Sequence, residues 1–595
     1  MSNQIKQRNE VDDKFKWKIS DLFETDKKWN EEYSETESKI PLLAKFNGNL
    51  TEDNIFDCFS LKEKLAHSVE RLYVYANLRS HEDSTNTFYQ AMADKADKII
   101  MLFESASSFI EPAVLSLNET EIMTAVNEKA PVYKHYFEDL FRSKAHILSA
   151  DKEDMLARMY DLRQAPDNIF SMLDNADLKF DNIINSEGKE VPLTHATYIS
   201  YLESPDRNVR KAAFDSYYRS YHDHKNTIAA IYSSSVKKDI FLANIRNYSS
   251  SLEAALSAYN IPLEVYHNLI DTVGRFLPLM HRYISLRKKC LALDDLCMYD
   301  LYTPIVKDCN TSKSYDEAKA TVTKAVEVLG EDYLTTFRSA LESGWIDVYE
   351  NKGKRSGAYS WGAYGTHPFV SLNYNNTVNN MFTLAHEMGH AMHSHYTWSN
   401  QPYIYGDYTI FVAEVASTVN EALLMEYLLK TTEDKTEKKY LINYFMEQFR
   451  GTLFRQTMFA EFELKAHEAA ENGEALTFDY LCSIYSALNK KYYGNDIIFN
   501  PEISWEWARI PHFYTAFYVY QYATGYSAAI ALSRRILKEN GAADYLRFLK
   551  GGSSDYSIEL LKTAGVDMSK TEPIENAMAV FEDLLNQMEK LIEED

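Results

Sequence analysis

Residues 382–395, FTLAHEMGHAMHSH, carry His386, Glu387 and His390 in the pattern HExxH. On a helix, side chains four residues apart share a face, so both imidazoles can reach one metal ion while Glu387 reaches water beside it. That set of groups can carry out metal-assisted hydrolysis, with two neutral nitrogen ligands and a carboxylate as general base. The competing reading is a solvated His/Glu helix face, which has no use for a third ligand.

Residues beyond the motif separate the options. A metzincin needs glycine at position 393 and histidine at 396, and this chain has His393 and Tyr396. A gluzincin instead takes a glutamate from a second helix. Residues 410–430, IFVAEVASTVNEALLMEYLLK, have helical apolar spacing with Glu414 and Glu421 near one face. Glu414 is the expected third ligand. Glu421, two turns on, suits a hydrogen bond from a ligand imidazole. Three protein ligands leave one position open, the mark of a catalytic zinc site. His393 and His395 are read as non-ligands, and His222 and His224, two apart, as a solvated face.

The elements that must hold these groups are mostly helices. From about residue 20 to 173 helical periodicity repeats, as in 61–79 and 88–110, and Ser20-Asp21 is the expected cap of the first helix. The pattern breaks at 178–198, where alternating segments flank Ser186-Glu187-Gly188, predicting a β-hairpin and a domain boundary near 200. It breaks again at 356–374, SGAYSWGAYGTHPFVSLNY, where strands and a glycine-bearing loop are expected just ahead of the metal helix. An edge strand there could pair with an extended peptide through main-chain hydrogen bonds. The final stretch, 574–594, predicts an amphipathic helix docked at the surface.

Composition bounds the rest. The length, 595 residues, predicts more than one core. A net charge of −24 argues against a nucleic-acid partner, which wants clustered Lys and Arg. Cys58, Cys290, Cys297, Cys309 and Cys482 are odd in number and scattered, which suggests no disulfide framework and fits a reducing cytoplasm. The N-terminus shows no apolar signal region, and no stretch of uninterrupted apolar residues long enough to span a bilayer is read, so no membrane partner is expected.

Near the C-terminal third, 504–526, SWEWARIPHFYTAFYVYQYATGY, crowds His512 with tyrosines, neutral donors of the kind that stabilise an oxyanion. HEMGH at 386–390, FVAEVASTVNE at 411–421, SLNYNNT at 371–377 and IPHFYTAFYVYQYATG at 510–525 together resemble the oligoendopeptidase F family, within the wider group of thimet oligopeptidase and neurolysin. KWKISDLF at 16–23, VPLTHATYISYLES at 191–204 and YLRFLKGGSSDYSIELLKTAGVDM at 545–568 extend the likeness over most of the chain. The resemblance implies a predominantly α fold of two helical lobes around a deep substrate channel, with a small β-sheet near the metal site. The expected division is an N-terminal helical lobe, 1–200, ending in the hairpin, and a catalytic domain, 201–595. It further implies Zn²⁺ on His386, His390 and Glu414, Glu387 as general base, and short unstructured oligopeptides cut internally. His512, Tyr514 and Tyr520 fall where the family places groups that contact substrate and oxyanion; Tyr520 and His512 rank above Tyr514, with Tyr518 in reserve. A metallocarboxypeptidase and a non-catalytic peptide-binding module are the alternatives, and oligomeric state is not legible.

Overall fold

In a computed structural model, which describes residues 5–306 and 312–594, helices build nearly the whole chain and strands are few and short. Cys309 lies outside the described residues; the other four cysteines are free thiols. Two compact units form, each assembled from three separate stretches of sequence. The first comprises Met1–Lys144, Thr311–Leu428 and Leu532–Val566, and the second Ala145–Asn310, Leu429–Ala531 and Asp567–Asp595.

The first unit starts with short 3-10 turns. Ser20 and Asp21 belong to one of these, Ile19–Asp21, and the next helix, Asp26–Lys39, is capped instead by Thr25, whose hydroxyl accepts from Lys28 N–H. The cap therefore sits four residues beyond the expected one. Helix Ile55–Glu82 buries Ile55, Cys58, Phe59, Leu65, Val69 and Leu72, spaced so that one stripe faces inward. That stripe packs with Trp29, whose indole N–H donates to Leu72 O at 2.9 Å, and with Phe137 and Phe369 in one apolar core. Helix Thr87–Ser107 and the short helix Ile110–Ser116 after it turn Met92, Ala96, Ile99 and Ile110 into the same core. The stretch Thr87–Ser116, with mean hydropathy 1.4 in its most apolar window, is long and apolar enough to cross a membrane by length and composition alone. Glu104 and Glu111 interrupt its apolar run, which is why a search for uninterrupted apolar residues passes over it.

The strands fall in two places. In the second unit, β1 (Ile183–Ile184) and β2 (Glu190–Val191) pair antiparallel with Ile183 opposite Val191, the hairpin expected around Gly188. In the first unit, β3 (Ile346–Asp347), β4 (Tyr359–Trp361) and β5 (Phe369–Ser371) form a sheet in the order β3-β5-β4. Within the strand region expected at 356–374, burial does not alternate along β5: Phe369, Val370 and Ser371 are all buried, because this central strand is covered on both faces.

The second unit is built on helices Lys225–Ile245, Leu263–Cys290, Arg455–Glu471 and Phe478–Tyr493. Helix Glu572–Glu593 docks through Ile574, Met578, Phe581, Leu585 and Met588, the amphipathic stripe expected there. His224 is exposed, as expected, and His222 is half-buried with its ring against Trp505, centroids 4.2 Å apart.

Candidate metal centre

Two helices of the first unit carry the centre: α1 (Val378–Asn400), capped by Thr377, and α2 (Ile410–Thr431). On α1 the four-residue spacing brings His386 Nε2 and His390 Nε2 to 3.2 Å from each other. From α2, Glu414 Oε2 lies 3.3 Å from His386 Nε2 and 3.4 Å from His390 Nε2. The three donors thus form a near-equilateral triangle. Tetrahedral bonds of about 2.0–2.1 Å place ligand atoms about 3.3–3.4 Å apart, so the triangle matches one face of such a coordination shell. Two imidazole nitrogens and one carboxylate oxygen suit a borderline transition ion better than magnesium or calcium, which take oxygen donors.

The surroundings orient these donors. His386 Nδ1–H donates to Glu421 Oε1, which leaves the Nε2 lone pair for the metal. The two glutamates differ in exposure: the Glu414 side chain is 44% exposed and that of Glu421 16%, so the ligand opens to solvent and its partner stands behind. Burial lowers the His386 imidazole, but Glu414 and Glu421 outweigh it and raise the group to about 10. Glu387 is only 7% exposed, and burial raises its carboxyl above the usual range against the pull of His386 and His390. A carboxylate that gains a proton easily is what a general base requires.

The approach of α1 to α2 rests on residues that the motif does not advertise. A Cβ on Gly389 would lie 2.5 Å from Ser417 Cα and 2.6 Å from Ala416 O, so the helices touch backbone to backbone there. Asn420 Nδ2 donates to Ala385 O at 3.1 Å, and Tyr333 O–H donates to Asn420 Oδ1 at 3.1 Å. The signal for this contact was present as a glycine on one helix and an Ala-Ser pair on the other. His393 is buried, stacked on Tyr408 at 3.8 Å, and desolvation lowers its imidazole to about 3. His395 packs near Trp345, and neither residue joins the His386, His390, Glu414 cluster.

His512, Tyr514 and Tyr520 belong to the second unit. His512 is exposed, with Tyr522 O–H and its Nε2 at 3.4 Å and the Tyr518 ring stacked 6.0 Å away. Tyr514 is buried against Phe170, and Tyr520 against Tyr266. The tyrosines grouped with His512 are therefore Tyr518, the residue held in reserve, and Tyr522, which no pattern in the sequence singles out. Between them and His512, Phe517 adopts a left-handed φ of 54° and donates its N–H to the buried Glu463 carboxylate at 3.0 Å, which turns the loop.

The model of peptidase family M3 matches residues 200–580, and that of oligopeptidase F matches 114–180. Oligopeptidase PepF of Bacillus subtilis is 48% identical over 99% of this chain and 89% of its own length. Group B oligopeptidase PepB of Streptococcus agalactiae is 42% identical over 98% of each chain. The crystal structure of oligoendopeptidase-F from Enterococcus faecium superposes with a TM-score of 0.74 at 38% identity, covering 96% of this chain and all of that one.

Proposed function

This chain belongs to peptidase family M3, a metallopeptidase acting on oligopeptides, and from that premise we propose that it is a zinc endopeptidase that cuts short unstructured peptides at internal bonds, in the cytoplasm. The observation that carries the reading is the triangle of His386, His390 and Glu414 donors with Glu387 beside it. These three residues would hold the ion, and Glu421 keeps the His386 ring in the orientation that points Nε2 at it. Zinc, when bound, supplies Lewis acidity that polarises a carbonyl and makes water acidic. Glu387 accepts the proton of the attacking water and returns it to the leaving amine nitrogen.

Substrate is aligned by backbone. Among the described residues no strand pairs with the outer side of β4, so an extended peptide can add there by main-chain hydrogen bonds without regard to sequence. The roles of His512, Tyr520 and Tyr514 as donors toward the oxyanion rest on the resemblance of their sequence segment, and single Phe variants at each test them through kcat. Free thiols at Cys58, Cys290, Cys297 and Cys482 support the cytoplasmic placement.

The test uses a quenched peptide amidated at its C-terminus, with products identified by mass spectrometry. Internal cuts that disappear with a chelator and in Glu387→Ala, while that variant still binds one zinc, are expected. Release of single C-terminal residues from a free-acid peptide only would make the protein a carboxypeptidase, and no cleavage by the zinc-loaded protein would make it a binding module.

A further inference from the structure

Beyond the metal, the face of α1 that carries His386 and His390 continues to Ser394, one turn on and about 6 Å further along the axis. Ser394 borders a cavity of about 550 Å³, wholly within the first unit. Ser360, Trp361 and Gly362 line the same cavity, so it lies beside β4, the edge strand, as well as along the metal helix. A peptide extended along that edge with its scissile bond at the metal would turn a nearby side chain, or its end, into this space.

The lining has a definite chemistry. Trp361, Trp398 and Tyr403 supply aromatic surface, and Gly362 lets the Trp398 ring close in, since a Cβ there would lie 2.7 Å from Trp398 Cη2. Three carboxylates, Glu63, Glu70 and Asp407, face the same space. Lys62, the one basic residue among those lining it, sits over the Phe59 and Tyr136 rings, 3.8 Å from Glu111, and its charge acts on Glu63 as well. Glu63 pairs with the Tyr133 hydroxyl, and Glu70 with Tyr364 N–H and the Tyr403 hydroxyl, while Ser360 Oγ is shut off from solvent. Carboxyl groups beside aromatic rings suit a cation, by charge pairing and by cation–π attraction together.

We propose that this cavity is a substrate subsite for a cationic nitrogen of the bound peptide, either a lysine or arginine side chain or a free N-terminal ammonium. The proposal rests on the peptidase reading above and adds the chemical preference of that site. Burial supports it: desolvation pushes the Glu70 carboxyl up to about 7, against donation from Tyr364 N–H and the Tyr403 hydroxyl, and it raises Glu63 too. A cation entering the cavity would offset that desolvation and lower both groups toward the ordinary carboxylate range.

The experiment scans one residue of a quenched peptide along positions on both sides of the cut, as arginine, lysine or the neutral isostere citrulline, each with a free or acetylated N-terminus. At one position arginine and lysine are expected to exceed citrulline at least about tenfold in kcat/KM, or acetylation alone to cost as much, which identifies the source of the nitrogen. Glu70→Gln and Asp407→Asn should each shrink that ratio, and the double variant should bring it near one. If Glu70→Gln fails to fold, Asp407→Asn, exposed at the rim, carries the test. A ratio near one everywhere in the wild type, with no effect of acetylation, overturns the proposal, as does an undiminished ratio in the double variant. Calorimetric binding of the same peptides to the Glu387→Gln protein reads the preference without turnover, so a failure of the hydrolytic reading is distinguished from a failure of the subsite.

Discussion

Glu421 shows how much a single residue outside the motif decides. Because its carboxylate accepts from His386 Nδ1–H, replacing it with alanine frees the ring to rotate and lowers its basicity. Zinc affinity of Glu421→Ala is expected to fall about 10- to 100-fold, measured by competition with a chromophoric chelator, with little loss of helix content. The same contact sets a proton inventory. With the His386 imidazole held up at about 10 by Glu414 and Glu421 against burial, metal must displace a proton at any lower pH. Affinity should therefore rise with pH through neutrality, and calorimetry in buffers of different ionisation enthalpy should show net proton release on binding.

At the scale of elements, the centre depends on how closely α1 and α2 approach. Gly389 has no room for a methyl group, since the obstructing atoms, Ser417 Cα and Ala416 O, are backbone. In Gly389→Ala the helices must separate, at a cost of about 1–3 kcal/mol, and the separation carries Glu414 away from the histidines. The expected result is a lower melting temperature together with a reduced gap between the zinc-loaded and chelated melts. A variant that melts lower but keeps the full zinc increment would show that Gly389 serves packing alone. The α1 pattern and the hairpin were legible in the sequence because periodicity and turn residues are local signals. The cap at Thr25 and the full burial of β5 were not, because a serine-aspartate pair competes with a threonine four residues on, and because a strand covered on both faces loses its alternation.

At the scale of the molecule, each unit gathers stretches that lie hundreds of residues apart, so its stability rests on long-range contacts. In the second unit the buried Glu506 carboxylate accepts from Arg455 at 2.7 Å and Arg509 at 2.8 Å. Burial raises its carboxyl, but the two guanidinium groups outweigh burial and bring it down to about 2 from an ordinary 4.5. A depressed acid stabilises the fold above its unfolded value, and that contribution is lost as pH falls from about 4.5 toward 2. Glu506→Gln should destabilise the protein by about 3 kcal/mol near neutrality, because two mostly buried arginines lose their partner. Its melting temperature should also fall less than that of the wild type between pH 5 and about 3, read by differential scanning calorimetry.

What the sequence by itself determined is the chemistry on offer. An HExxH pair and a glutamate two dozen residues later, both on helix-patterned stretches, suffice to name the candidate ligands, because a helix converts spacing into a shared face. Tertiary structure alone decided which small residues let those helices meet, and which tyrosines of 514–522 stand beside His512 and which are buried. It alone created the aromatic and acidic cavity, whose walls come from residues 59–70, 136, 360–364 and 394–408. Such outcomes depend on contacts between distant stretches, and local pattern does not encode which of a segment's side chains a far neighbour will cover.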